Sequence, residues 1–125
     1  MSTKIQHAVL LTFLVSNKAI NLNGVHTCER RDLIEDVLRC EFGFRGVVMS
    51  DWIIAANYGK SNKYAAPNAA KNAAAGNDLT MPGSAGDLKS MLQGIKDGLV
   101  TREQLEINAT RIARLAEKLA GGKTV

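Results

Sequence analysis

One carboxylate lies at a position where α/β folds commonly have reactive side chains. The stretch GFRGVVMSDW, residues 43–52, places Asp51 directly after strand-forming apolar residues, and Trp52 follows it. In parallel α/β folds, reacting side chains project from the C-terminal ends of strands. A carboxylate there can act as a nucleophile, a base or a metal ligand, and an indole beside it can pack on a sugar ring or an aromatic substrate. The competing interpretation is that Asp51 caps the segment after the strand and that Trp52 lies in the core.

Three segments of the chain have the pattern of buried strands. Residues 8–15 form an apolar run, which is typical of a strand covered on both faces. GVVMS, residues 46–50, is the second predicted strand, and DLTM, residues 78–81, is the third. The apolar run at residues 8–15 favours a parallel sheet over a sandwich.

A helix is predicted between the first two strands, over residues 28–42. Its apolar positions fall on one helical face, and they are Leu33, Ile34, Val37 and Leu38. We expect Arg30, Glu35 and Arg39 to face away from the core. Gly43 lies just past the helix, where a left-handed cap residue is expected.

Two more helices flank the third strand. Pro67 can begin a short alanine-rich helix and Gly76 can end it. Ser84 and Asp87 have the spacing of a capping box at the start of the next helix. That helix is expected to bury Leu88, Met91, Leu92 and Ile95.

The last helix has the strongest start signal. Thr101 and Gln104 form a capping box, and Val100 with Leu105 has the spacing of a hydrophobic staple. Its predicted buried stripe consists of Leu105, Ala109, Ile112, Ala116 and Leu119. The alternation of strands and helices predicts one α/β domain over residues 1–125.

Composition argues against several other classes of protein. The formal charge of +4 is spread along the chain and aromatic residues make up 5%, so there is no footprint of a nucleic-acid partner. Cys28 and Cys40 match no metal-binding spacing, and we expect both to be reduced and partly buried. No ligand cluster calls for a metal and no glycine-rich loop calls for another cofactor. The apolar run at residues 8–15 is too short to span a membrane, so a cytoplasmic protein is expected.

Three motifs in order along residues 20–120 resemble glycoside hydrolase family 3, the β-glucosidase and β-hexosaminidase family. NGVHTCERRDLIEDVLRCEFGFRGVVMSDW, residues 23–52, is similar to the region that holds the family's nucleophile. AAGNDLTMPGS, residues 74–84, resembles the family's next strand, A-G-x-D-x-x-M-P. The tail, residues 99–119, resembles the helix that closes the family's barrel. The resemblance implies the C-terminal part of a (β/α)8 barrel of the TIM type, with three parallel strands alternating with helices plus a C-terminal helix.

The resemblance also implies roles for individual residues. Asp51 matches the catalytic nucleophile of a retaining β-glycosidase, and Trp52 matches the aromatic residue that borders the sugar subsite. Asp78 and Met81 are expected to shape the site, and His26 to have a structural role.

The chain also departs from the family pattern. The family's Ser-Tyr-Asn segment has no counterpart, since no Tyr lies between residues 15 and 24. The family's acid/base and most of its sugar-binding residues are not found, so this chain alone is expected to be inactive. Two interpretations follow: a β-glycoside hydrolase whose site is completed by a homo-oligomer or by a complementing N-terminal barrel fragment, or an inactive fragment or assembly subunit that needs a partner chain.

Overall fold

The computed structural model describes residues 21–52 and 66–121. A short antiparallel hairpin, β1 (Asn21–Leu22) and β2 (Val25–His26), precedes a 3-10 turn (Thr27–Glu29). Four helices follow: α1 (Asp32–Glu41), α2 (Ala69–Ala74), α3 (Ala85–Lys96) and α4 (Arg102–Gly121). The predicted strand at residues 8–15 lies outside the described residues. Among the described helices, none has the length and apolar character needed to cross a membrane.

The second and third predicted strands lie side by side and run parallel, but their pairing is short. Met49 and Leu79 form an isolated parallel bridge. The Leu79 N–H donates to the Val48 carbonyl at 3.2 Å, and the Ser50 N–H donates to the Leu79 carbonyl at 2.9 Å. This bridge is consistent with an α/β fold, whereas a sheet of three parallel strands stays a prediction.

The main core lies between α1 and this strand pair. Helix α1 has wide π-type hydrogen bonds, such as the one from the Phe42 N–H to the Val37 carbonyl at 3.0 Å. Gly43 follows it with a φ of 66°, so the predicted left-handed cap is confirmed. The buried cluster on this side consists of Ile34, Leu38, Phe44, Val48 and Ala75.

A second apolar cluster joins α2 to α3 and α4. Its buried members are Ala70, Ala73 and Val100, with Met91 and Leu105 packed against them. Gly94 permits this contact, because a Cβ atom there would lie 2.5 Å from the Ala70 Cβ. Small residues thus let α3 approach α2 closely.

Local signals in the sequence predicted the helix starts well. The Ser84 hydroxyl accepts the Asp87 N–H at 3.0 Å, and the Thr101 hydroxyl accepts the Gln104 N–H at 3.1 Å. The start of α2 was predicted less accurately, since Asn68 caps it by accepting two backbone N–H groups. Gly76, with a φ of 90°, follows its end as expected.

The predicted buried faces of α3 and α4 are largely wrong. Leu88 is 61% exposed and Leu92 is 53% exposed, and Leu119 at the far end of α4 is 74% exposed. Helix α3 instead packs through Met91 and Gly94. The reason is geometric: α2 is short and made of small residues, so it covers only a narrow strip of each longer helix.

The two cysteines differ in environment. Cys28 is buried, as expected in part, but Cys40 is exposed, so the prediction for Cys40 is wrong. Burial raises the pKa of the Cys28 thiol to about 12. At pH 8 the reactive thiolate of Cys28 is therefore on the order of one part in ten thousand.

We expect iodoacetamide at pH 8 to modify Cys40 and to spare Cys28 in the folded chain. Intact mass should show one added group, and a second group should add only in denaturant. In the control variant Cys40→Ser, the folded chain should remain unmodified. Equal rates at both cysteines would show that Cys28 is not buried in solution.

Candidate functional site

Asp51 lies where the chain leaves the parallel strand pair. Its side chain is partly buried, and its Oδ1 accepts the Trp52 N–H at 2.7 Å. Trp52 is 56% exposed, so it is not a core residue. The structure therefore places Asp51 and an exposed Trp52 directly after a strand segment, and the roles expected for both residues stay predictions.

Ser50 holds this strand end against the neighbouring strand. It is 3% exposed. Its Oγ accepts the Met81 N–H at 2.8 Å and donates to the Asp51 carbonyl at 3.1 Å. Ser50 lies inside the stretch that resembles the family, residues 23–52, but no periodicity or spacing in the sequence indicates a role for it.

Asp78 anchors the other end of the strand pair. Its side chain has no exposed surface, and its Oδ2 accepts the Val48 N–H at 2.9 Å. The same oxygen accepts Arg39 Nη2 at 2.7 Å, and Oδ1 accepts Arg111 Nη1 at 3.1 Å. Asp78 therefore fixes the backbone of the strand that leads to Asp51, in line with the expectation that it shapes the site.

Burial raises the pKa of the Asp78 carboxyl above its ordinary value. The Val48 N–H and the Arg39 and Arg111 guanidinium groups oppose this shift, because each of them favours the charged carboxylate. Arginine keeps its proton in proteins, so the positive partners of Asp78 are permanent.

The partners of Asp78 complete a buried ionic cluster with Glu35. Arg111 Nη1 lies 3.1 Å from Glu35 Oε1, and Arg39 Nε lies 3.5 Å from the same oxygen. The expectation that Glu35 and Arg39 face away from the core is wrong, since Arg39 is only 5% exposed. Carboxylates and the Gly46 carbonyl, 2.9 Å from Arg39 Nη1, replace the water that a guanidinium would otherwise need.

A second polar network joins α4 to the end of α2. Asn108 is buried, and its Nδ2 donates to the Ala73 carbonyl at 2.9 Å and to the Asn77 carbonyl at 3.3 Å. Its Oδ1 accepts Gln104 Nε2 at 2.8 Å. The Ala73 carbonyl also accepts the Gly76 N–H at 3.1 Å, so Asn108 adds a side-chain donor at the C-terminal end of α2 and ties α4 to it.

The remaining chemical groups of the described residues give no second centre. His26 is buried in β2, and the structural role expected for it stays a prediction. Within residues 21–52 and 66–121, no three His, Cys, Asp or Glu side chains converge as a metal site would require.

The sequence is similar to one protein family and to several glycosidases. Residues 8–115 match the family model described as the glycosyl hydrolase family 3 N terminal domain. The chain is 35% identical over 104 residues to an exo-alpha-(1->6)-L-arabinopyranosidase of Bifidobacterium longum, covering 83% of this chain and 12% of that protein. It is 36% identical over 99 residues to a beta-glucosidase of Rhizobium radiobacter, covering 78% of this chain and 11% of that protein.

A solved structure shares the fold. The structure of beta-glucosidase 3B from Thermotoga neapolitana in complex with glycerol is similar with a TM-score of 0.63 and 31% sequence identity. The match covers 78% of this chain and 13% of that one. The chain thus spans a small part of the length of the proteins that it matches.

The ionic cluster predicts that two arginines of α4 contribute very differently to the free energy of unfolding. Arg111→Met should lower the free energy of unfolding by about 2–4 kcal/mol, because it leaves Glu35 and Asp78 with one guanidinium partner. Arg102→Met is the matched control, since its ion pair with Glu106 is exposed to solvent and its loss should change the free energy of unfolding little. Urea unfolding followed by circular dichroism measures both, and equal losses would contradict a structural role for the cluster.

Proposed function

The chain belongs to glycosyl hydrolase family 3, and from this membership we propose that it carries the nucleophile of a retaining β-glycoside hydrolase. Asp51 is that nucleophile. The observation that supports the assignment is its position at the end of a strand segment, partly buried, with Oδ1 held by the Trp52 N–H at 2.7 Å.

The proposed reaction uses Asp51 in two steps. The carboxylate attacks the anomeric carbon and the bond to the leaving oxygen breaks, which forms a covalent glycosyl-enzyme. A second group, about 5 Å away in retaining enzymes, protonates the leaving oxygen and then activates the water that releases the sugar. Trp52 supplies an exposed apolar face on which the sugar ring can pack.

The proposed architecture is the C-terminal part of a (β/α)8 barrel. The parallel bridge between Met49 and Leu79 supports it, because barrel strands pair in this way. The structural similarity to a beta-glucosidase points in the same direction. In this arrangement three parallel strands, including residues 8–15, would bring Asp51 to the face where barrel enzymes have their sites.

A second polypeptide is the proposed partner, and the exposed apolar side of α3 supports this. Leu88, Leu92 and Ile95 repeat at the spacing of a helix-packing stripe, and all three are exposed. The proposed occupant is a second copy of the chain, which presents the same stripe. The alternative occupant is a complementing N-terminal barrel fragment.

Turnover of 4-nitrophenyl β-glycosides tests the proposed nucleophile. Where a second copy or a complementing fragment supplies the acid/base, the wild-type chain should release nitrophenol, and Asp51→Asn should reduce the rate by about three orders of magnitude or more, because it removes the attacking group. Asp36→Asn is the control, since Asp36 is an exposed carboxylate on α1. A wild type and an Asp51→Asn variant that are equally inactive would favour the second interpretation, a catalytically inactive fragment or assembly subunit.

Light scattering after size exclusion tests the proposed second copy. The wild type should exceed the monomer mass of 13.5 kDa. Leu92→Lys should shift it toward the monomer, because a charge then replaces an apolar contact. Gln93→Lys adds the same side chain to the next residue of α3 and should change nothing. A wild type that is monomeric at all concentrations would contradict self-association and favour the complementing fragment.

A further inference from the structure

On both sides of Leu79 the hydrogen bonds between the two strand segments follow the parallel pattern. The Leu79 N–H donates to the Val48 carbonyl, and the Leu79 carbonyl accepts the Ser50 N–H. In a parallel ladder the next bond would run from the Met81 N–H to the Ser50 carbonyl. Here the Met81 N–H donates to Ser50 Oγ at 2.8 Å. A side-chain hydroxyl thus takes the place of a backbone carbonyl at the last rung.

This replacement determines where the chain can turn. Because the hydroxyl satisfies the Met81 N–H, the Ser50 carbonyl is not needed for the ladder and the backbone can leave it at that point. The hydroxyl proton goes to the Asp51 carbonyl at 3.1 Å, so Ser50 Oγ also contacts the peptide unit that follows Asp51. One buried oxygen thereby links the end of the neighbouring strand to the residue that bears the carboxylate.

Packing alone gives no reason for a hydroxyl at this position. Ser50 is 3% exposed, and burying a hydroxyl without partners costs free energy. Both of its hydrogen bonds go to backbone groups of the two segments that meet at the site. The hydroxyl therefore stabilises this particular backbone path.

We propose that Ser50 is a positioning residue for Asp51: its hydroxyl fixes the backbone on both sides of the strand end and so sets the direction of the Asp51 carboxylate. The inference rests on the proposed function of Asp51, which it deepens. Its structural part concerns hydrogen bonds and can be tested without any turnover.

Two variants distinguish the effect of the hydroxyl from the effect of side-chain volume. Ser50→Thr keeps the hydroxyl, and Ser50→Val has nearly the same shape without it. Any strain from the added bulk is therefore common to both. Ser50→Ala is the third variant, and it lacks the hydroxyl without adding bulk. Circular dichroism shows which of the three fold.

Amide hydrogen exchange measures the structural part. In Ser50→Val the amides of Met81 and Trp52 should exchange about five- to tenfold faster than in Ser50→Thr, the ratio expected for the loss of one hydrogen bond. The Trp52 amide reports on Asp51, since it donates to Asp51 Oδ1. If the two variants protect both amides equally, the inference is overturned. If Ser50→Val and Ser50→Thr do not fold, Ser50→Ala against the wild type gives the same comparison.

Kinetics measure the catalytic part with 4-nitrophenyl β-D-glucopyranoside. Ser50→Val should lower kcat about 10- to 100-fold relative to Ser50→Thr, with KM within about twofold, because misdirection of the nucleophile affects the reaction more than binding. Equal kcat values would overturn the positioning role while Asp51→Asn still supports the nucleophile. If the wild type itself shows no turnover, the proposed function fails, and the exchange data alone decide whether the hydroxyl fixes Asp51.

Discussion

The buried carboxylate of Asp78 is the interaction on which the described fold depends. An ionised side chain without exposed surface is tolerated only when charged groups or N–H donors replace its water. Arg39 on α1, Arg111 on α4 and the Val48 N–H provide them. Three parts of the chain that are distant in sequence are therefore held to one point. The positions of α1, α4 and the strand segment follow from satisfying this one group.

The same requirement explains which features could be predicted from the sequence. Caps at Ser84, Thr101 and Gly43 depend on residues a few positions away, and the structure confirms them. Arg39 could not be placed correctly, because helical periodicity assigns charged residues to solvent. Its burial results from partners 37 and 39 residues along the chain, Gly76 and Asp78, which no local pattern indicates.

The faces of α3 and α4 were missed for a related reason. Periodicity identifies the apolar side of a helix but does not tell how much of that side a neighbour covers. Helix α2 has six residues, mostly alanine, and so it covers little of α3. Helix α4 contacts α2 partly through Asn108, a polar residue that periodicity would place in solvent. Asn108 is buried there because its amide donates to the Ala73 and Asn77 carbonyls at and beyond the end of α2, and the apolar pattern does not indicate this contact.

The location of Asp51 was predicted better than the fold around it, and the strand pair shows why. Asp51 became a candidate from one local fact, a carboxylate directly after a predicted strand, and its role as nucleophile came from the family resemblance; neither depends on which helix faces are buried. The strand pairing that orients the Asp51 carboxylate depends on a side chain at each end of the pair. Asp78 accepts the Val48 N–H, and Ser50 accepts the Met81 N–H. Each of these residues satisfies a backbone donor that the short bridge would leave open. The position of the carboxylate is thus a property of the local sequence, whereas its orientation depends on contacts between distant segments.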